Sequence, residues 1–222
     1  MLQNTESYRS TVHLNVRAAP SPSGKLLGRM TPGTVIEKLD ESADGAWIKF
    51  IYDGVEAWSS KRYLAKVPYI PPEGEDFPWM QFAKVEKAKG VREVPGSGNN
   101  PEVLKYLRST TNLGKAAISK DETPWCSAFV NWCLEQAGYD RTRNALARSW
   151  LKWGQEIKTP RRGCIVVFER EKKFGHVGFY LEENETHIKV LGGNQQNPET
   201  KIFEVSEKFY PKTDLLGYRI PK

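Results

Sequence analysis

The sequence predicts an α+β protein in two parts: a small all-β barrel, then a domain whose helices pack on an antiparallel sheet. Three observations carry this. Short alternating apolar runs separated by turn residues fill positions 1–66, and a proline- and acid-rich stretch occupies 67–77. Within 78–222, helix-start signals come first and strand-like runs follow. The 222 residues suit one or two domains, and 39% hydrophobic with 27% charged residues is enough to bury a core, which excludes a disordered tail. No apolar run approaches the roughly 18 residues a spanning helix needs, so no integral membrane association is expected.

In the first region, Val12–Arg17 alternates and Pro20–Gly24 is a turn. Leu26–Met30 and Thr34–Leu39 follow, separated by Thr31-Pro32-Gly33. Ala46–Tyr52 alternates again, Asp53-Gly54 is a hairpin turn, and the pattern resumes at Val55–Trp58. About five short strands in about 60 residues make a small β-barrel. Leu14-Asn15-Val16-Arg17, Pro20, Gly24, Gly33, Trp47, Gly54-x-x-x-Trp58 and Tyr63-Leu64 resemble the bacterial SH3-like domain over roughly Thr11 to Lys66. The resemblance implies a non-catalytic module that often binds cell-wall peptide. Trp47 and Trp58 serve either that ligand or the core.

The stretch Val67–Phe77 reads as a linker. Pro68, Pro71 and Pro72 bar helix interiors and central strands, and Glu73, Glu75 and Asp76 keep it solvated. Beyond it, Trp79–Ala88 has helical spacing and is followed by Gly90. Asn100-Pro101-Glu102 supplies an N-cap, a first-turn proline and a first-turn acid for a helix to about Arg108. Strand-like runs come at Gly163–Phe168, His176–Leu181 and His187–Leu191.

Asp121–Gly138 holds the main chemical signal. Thr123 suits an N-cap, Pro124 the first helical position and Gly138 the stop, so Cys126 is expected in the first turn. There the free N–H groups and the helix dipole favour an anion, so the thiol pKa is expected to fall and the thiolate to serve as nucleophile. Cys133 lies about two turns on, without that activation, and Cys164 sits in the apolar run Cys164–Phe168; both read as core. Three cysteines are too few for a disulfide scaffold, and without Cys-x-x-Cys or clustered histidines no zinc site is expected.

His176 opens the run Gly175–Leu181, and His187-Ile188-Lys189-Val190-Leu191 returns after an acidic turn. A hairpin centred near Asn184 sets position 176 opposite about 192 and brings Asn194 close to His176. An amide there fixes the imidazole tautomer and frees the other nitrogen for the thiol proton, the Cys-His-Asn form of the nucleophile, base and orienter arrangement. Gln195 and Asn197 are alternative orienters. His187 and His13 read as unrelated to this site.

Pro124–Cys133, Gly175–Tyr180 and Leu191-Gly192-Gly193-Asn194-Gln195 together resemble the CHAP and NlpC-type cysteine peptidase superfamily over nearly all of 78–222. The resemblance implies a papain-like α+β fold and a peptidoglycan hydrolase acting on wall-peptide amide bonds. It places the nucleophile on Cys126, the base on His176 and the third polar group on Asn194. Related sequences often carry Gly-Asp where this chain has Gly163-Cys164, which leaves the role of position 164 open. For substrate contacts, Trp125 either lines the cleft or is core, a backbone N–H near Cys126 or Ser127 stabilises the oxyanion, and Gln195 is a further candidate. No metal or organic cofactor is expected.

The net charge of +6 divides into +2 for 1–66, −3 for 67–77 and +7 for 78–222. The excess suits an anionic partner such as a wall polymer. Two other classes are weighed: a non-catalytic wall-binding protein, opposed by the intact Cys126, His176 and Asn194, and a nucleic-acid binder, opposed by the lack of an aromatic-basic motif. A monomer acting on peptidoglycan, with no nucleic-acid partner, is expected. The polar opening Met1–Ser10 shows no secretory leader, so synthesis in the cytoplasm and action at the wall after release or injection are expected, as in phage endolysins or injected toxins.

Overall fold

The computed structural model describes residues 6–222, so the leader reading of Met1–Ser10 lies partly outside the described residues. Two compact units divide between Tyr69 and Ile70.

The first unit is all β. Its strands are β1 (Ser7–Ser10), β2 (Leu14–Arg17), β3 (Leu26–Met30), β4 (Val35–Glu37), β5 (Asp40–Glu41), β6 (Trp47–Tyr52), β7 (Val55–Ser60) and β8 (Leu64–Val67). They form a three-stranded sheet, β4-β1-β8, and a five-stranded sheet, β3-β2-β7-β6-β5. The five predicted strands are present; β1, β5 and β8 are additional. The sequence of β1, Ser-Tyr-Arg-Ser, has a single apolar side chain, so periodicity gives no signal for it. It forms because it pairs on both edges, with β4 and β8. Tyr8, Val16, Ile48 and Phe50 are among the buried core residues, and Trp47 and Trp58 stay half-buried.

In the second unit, three helices, α1 (Trp79–Ala88), α2 (Pro101–Leu107) and α3 (Cys126–Gln136), precede the sheet. The strands are β9 (Gln155–Ile157), β10 (Ile165–Arg170), β11 (Phe174–Glu183), β12 (His187–Gln196), β13 (Phe203–Pro211) and β14 (Leu215–Ile220). They make one antiparallel sheet in the order β13-β12-β11-β10-β14-β9. The predicted α+β arrangement, helices on an antiparallel sheet, is what forms. Trp79, Trp125, Trp150, Phe129, Phe168 and Phe179 are fully buried in one core. Each such burial removes apolar area worth about 1.5–3 kcal/mol.

The end of the proline-rich stretch packs with this unit. Phe77 is buried and stacks on Trp79 at 4.6 Å, and Asp76 pairs with Lys84 and, at 2.9 Å, with Arg162. Asn100 caps α2 as expected, its side chain accepting from the Glu102 N–H at 2.9 Å ahead of Pro101. At α3 the expected start is corrected. The Thr123 hydroxyl donates instead to the Ala117 carbonyl at 2.7 Å, so it caps nothing, and Trp125 occupies the N-cap position without a side-chain cap. Cys126 is thereby the first residue of the helix, and Gly138 at φ +73° ends it.

The β11–β12 hairpin is also displaced from its expected register. Phe179 pairs with Leu191 and Tyr180 with Val190, and a bulge follows before Glu182 pairs with Lys189. That pairing puts position 178, not 176, opposite 192. The turn closes through Asn184 N–H to the His187 carbonyl at 3.0 Å, so its centre falls between Glu185 and Thr186 instead of at Asn184.

Candidate active site

Helix α3 lies across β11 and β12, and Gly193 lets it come this close. A Cβ at Gly193 would sit 2.3 Å from a ring carbon of Trp125 and 2.8 Å from the Cβ of Phe129. This contact sets the start of α3 against β12, the neighbour of the strand that carries His176. Backbone N–H groups of Val177, Ser127 and Cys126 itself point at the Cys126 sulfur and favour its thiolate. Val177 is the neighbour of His176 on β11, so the helix start and the imidazole share one small region.

Burial outweighs those N–H groups. The Cys126 side chain is 6% exposed, and desolvation pushes its thiol above the ordinary value. The expected fall of the thiol pKa is therefore reversed: the helix start supplies stabilising donors, but the low-dielectric surroundings cost the anion more. Burial, joined by the nearby Arg170 and Lys208 cations, lowers His176 to about 3, and the neighbouring Gln195 carboxamide pulls the other way. Thiol and imidazole both rest uncharged. Arg170 acts on Cys126, His176 and Tyr210 alike, which marks the three as one cluster.

Cys126 opens onto a cleft of about 670 Å³, lined also by Asn194, Glu93, Glu122, Arg170 and Phe174. His176 lines an adjoining cavity of about 220 Å³ with Lys208, Tyr210 and again Asn194 and Arg170. The cleft is lined by the acidic Glu93, Glu122 and Glu171 and by the basic Arg148, Arg170 and Lys173. Burial raises the Glu93 carboxyl, and the Asp121 and Glu122 charges add to this against a hydrogen bond from the Trp125 ring.

The polar groups beyond the histidine are arranged by a bulge in β12. Gly192 pairs with Ser206 and Gln195 with Glu204, so β12 spends one residue more than β13 between these points. Asn194 takes up the extra length at φ +58°. The bulge aims Gln195, not Asn194, at the imidazole. A Cβ at Gly192 would lie 3.4 Å from both His176 Nε2 and Gln195 Nε2, so the ring nitrogen and the carboxamide border the same small space. Asn194 faces the cleft and makes no side-chain hydrogen bond to His176 among the described residues. The Gly192-Gly193 pair ahead of Asn194 is the sequence signal for such a bulge.

The other predicted contacts are placed as follows. Trp125 is 0% exposed, its ring N–H donating to Glu93 at 2.9 Å, so it is core and not a cleft wall. Ser127 is also fully buried; its hydroxyl donates to the Asn144 carbonyl at 2.6 Å and accepts from the Trp150 ring at 2.9 Å, leaving only its backbone N–H for the site. Gln195 is 1% exposed and is not among the residues that line the cleft. Cys133 and Cys164 are buried, the latter with its thiol pushed up to about 12 by burial, so position 164 is core. His187 sits at the hairpin turn beside Thr186. No group of three or more possible metal ligands occurs among the described residues, and no helix among them is long and apolar enough to cross a membrane.

In the first unit, His13, Arg17, Arg29, Trp47 and Tyr63 line a separate groove of about 390 Å³.

With this geometry, the class of each unit follows from comparison with known families. Residues 12–65 match the family model of the bacterial SH3 domain, and residues 118–194 match that of the CHAP domain. The chain thus carries a bacterial SH3 domain followed by a CHAP domain. No curated protein matches the chain. Among solved structures it is similar to NlpC1 from Trichomonas vaginalis, at 17% identity and TM-score 0.36, covering 97% of this chain and 68% of that one. NlpC2 from Trichomonas vaginalis matches at 15% identity and TM-score 0.35, covering 97% and 72%. An NlpC/P60 family protein from Bacillus cereus matches at 14% identity and TM-score 0.36; the alignment covers 98% of this chain and 63% of that protein.

Proposed function

We propose that the second unit is a cysteine-dependent hydrolase that cuts an amide bond in the peptide of bacterial peptidoglycan, and that the first unit holds it on the wall. The observation that carries this reading is a cysteine at the first residue of a helix, on the floor of an open cleft, with its sulfur facing the N–H next to a buried histidine. The matches to a bacterial SH3 domain and a CHAP domain support the choice of substrate.

In this mechanism Cys126 and His176 start uncharged. As the sulfur attacks the amide carbon, its proton passes to the imidazole and the carbonyl oxygen becomes an oxyanion. The N–H groups at the start of α3 are the donors for that charge. The imidazolium then gives its proton to the leaving amine as the C–N bond breaks, leaving a thioester on Cys126. Water, deprotonated by His176, hydrolyses the thioester and restores the thiol. Gln195 is the partner of the charged imidazole, and Asn194, from the cleft side, contacts substrate. The bond cut is either the amide to the amino sugar or one within the stem peptide; the same residues serve both.

Purified protein is expected to clear a peptidoglycan suspension, and Cys126→Ala to abolish clearing while still sedimenting with the walls. Equal clearing by Cys126→Ala would overturn the reading. Mass spectrometry of the released fragments identifies the bond.

A further inference from the structure

Gln195 is held at both ends of its carboxamide. Its Nε2 donates to the Gly192 carbonyl at 3.0 Å and to the Ser206 carbonyl, which uses both of its N–H donors. Its Oε1 accepts from the Tyr210 hydroxyl at 3.0 Å. Burial raises the Tyr210 phenol above its ordinary value, so this hydroxyl stays protonated and always donates. One lone pair of Oε1 is left, and the carboxamide borders the same space as the imidazole Nε2 and opposes the fall in the His176 pKa. His176 Nε2 is itself buried and lacks a hydrogen bond of full geometry, as a contact does that tightens only when the ring is charged.

The Tyr210 ring makes a second contact. It stacks on the imidazole, with centroids 4.8 Å apart and planes 17° apart, and its other neighbour in the stack is Phe168, at 4.8 Å and 23°. Phe168 and Tyr210 therefore set the plane of the imidazole, and the Tyr210 hydroxyl sets the carboxamide that faces its edge. An aromatic face also favours a cation lying against it, which opposes the burial that disfavours imidazolium.

We propose that Tyr210 is a positioning residue for His176: its ring fixes the imidazole plane, and its hydroxyl locks the Gln195 carboxamide so that oxygen faces Nε2. This holds neutral His176 in the tautomer with hydrogen on Nε2 and leaves Nδ1 to take the Cys126 proton. The inference rests on the cysteine–histidine reading above.

The test uses the full chain with 15N-labelled histidine and a soluble wall-peptide amide. In the wild type, the His176 resonances are expected to report a single Nε2–H tautomer near neutral pH. Tyr210→Phe keeps the ring and is expected to lower kcat about 10-fold with KM within twofold, because the carboxamide loses its anchor. Tyr210→Leu loses ring and hydroxyl, and is expected to lower kcat about 100-fold and to give mixed tautomers. On a Gln195→Leu background, Tyr210→Phe is expected to add no further loss. Wild-type kcat in Tyr210→Phe, or a single Nε2–H tautomer retained in Tyr210→Leu, would overturn the proposal, and since Tyr210→Phe preserves the packing, misfolding does not mask the result. Failure of the underlying reading has a different signature: Cys126→Ala would still hydrolyse the amide.

Discussion

The two units bury polar groups very differently. In the first, the buried polar side chains among the described residues are Ser10 and Ser59, each satisfied by a backbone carbonyl, at 2.6 and 3.0 Å. In the second, Glu86, Asp121, Asn131, His176, Asn194, Gln195 and Arg219 are all buried. Taking such groups out of water costs several kcal/mol unless partners compensate, so a fold built for stability alone avoids them. Most are compensated: Glu86 pairs with Lys89 and Lys105 and accepts from Tyr106, and Arg219 donates to the Leu151 carbonyl. His176 Nε2 is one of the few atoms left without a full partner. The aromatic residues follow the same division. Trp79, Trp125 and Trp150 vanish into the core of the second unit, while Trp47 and Trp58 of the first stay half-exposed, Trp47 in a groove with Arg17 and Arg29. The second unit keeps a polar cluster from water; the first presents its aromatic rings to it.

That contrast breaks first at Cys126. Cys126→Ala is expected to reduce wall hydrolysis by at least about 10³-fold with no loss of thermal stability, read from turbidity clearing and a melting curve. Residual activity within tenfold of wild type would place the chemistry elsewhere. Next comes Trp125→Ala, which empties a fully buried site and is expected to cost about 3–5 kcal/mol in denaturant unfolding. A loss below about 1 kcal/mol would mean that the ring is not core.

A third comparison uses pH. His176 is held neutral, at about 3, while in the unfolded chain it titrates near 6.5. The unfolded state therefore binds more protons between those values. The stabilisation is fully present above about pH 6.5 and is lost as pH falls toward 3, by at most about 1.4 kcal/mol per pH unit. His176→Gln is expected to flatten this part of the stability profile, measured as urea midpoints from pH 7 to 4. An unchanged slope would show that the imidazole protonates freely. The smallest effect on folding is expected at Trp47→Ala, below about 1 kcal/mol, with hydrolysis of a soluble peptide unchanged and binding to sedimented walls weakened severalfold. Wild-type wall binding in that variant would remove the groove from the proposed tether.

Much of this was legible along the chain. Alternation located β2, β6 and β7, flanking turn residues located β3 and β4, and Asn100-Pro101 marked α2 correctly. What escaped was whatever depended on a partner. Strand β1 has one apolar residue in four and exists because β4 and β8 flank it. Thr123 has the chemistry of a cap but spends its hydroxyl on Ala117. Tyr210 lies 34 positions from His176 and meets it only because β13 folds back beside β12.

The sequence alone determined which residue types meet: a cysteine where a helix begins, a histidine where a strand begins, and carboxamides after two glycines. Local propensities set those positions, and they act within a few residues. Tertiary structure decided which carboxamide faces the imidazole and the direction in which the thiol titrates. The first depends on a one-residue bulge that shifts every later side chain in β12 relative to β13. The second depends on desolvation by atoms from remote parts of the chain, which outweighs the pull of the helix start.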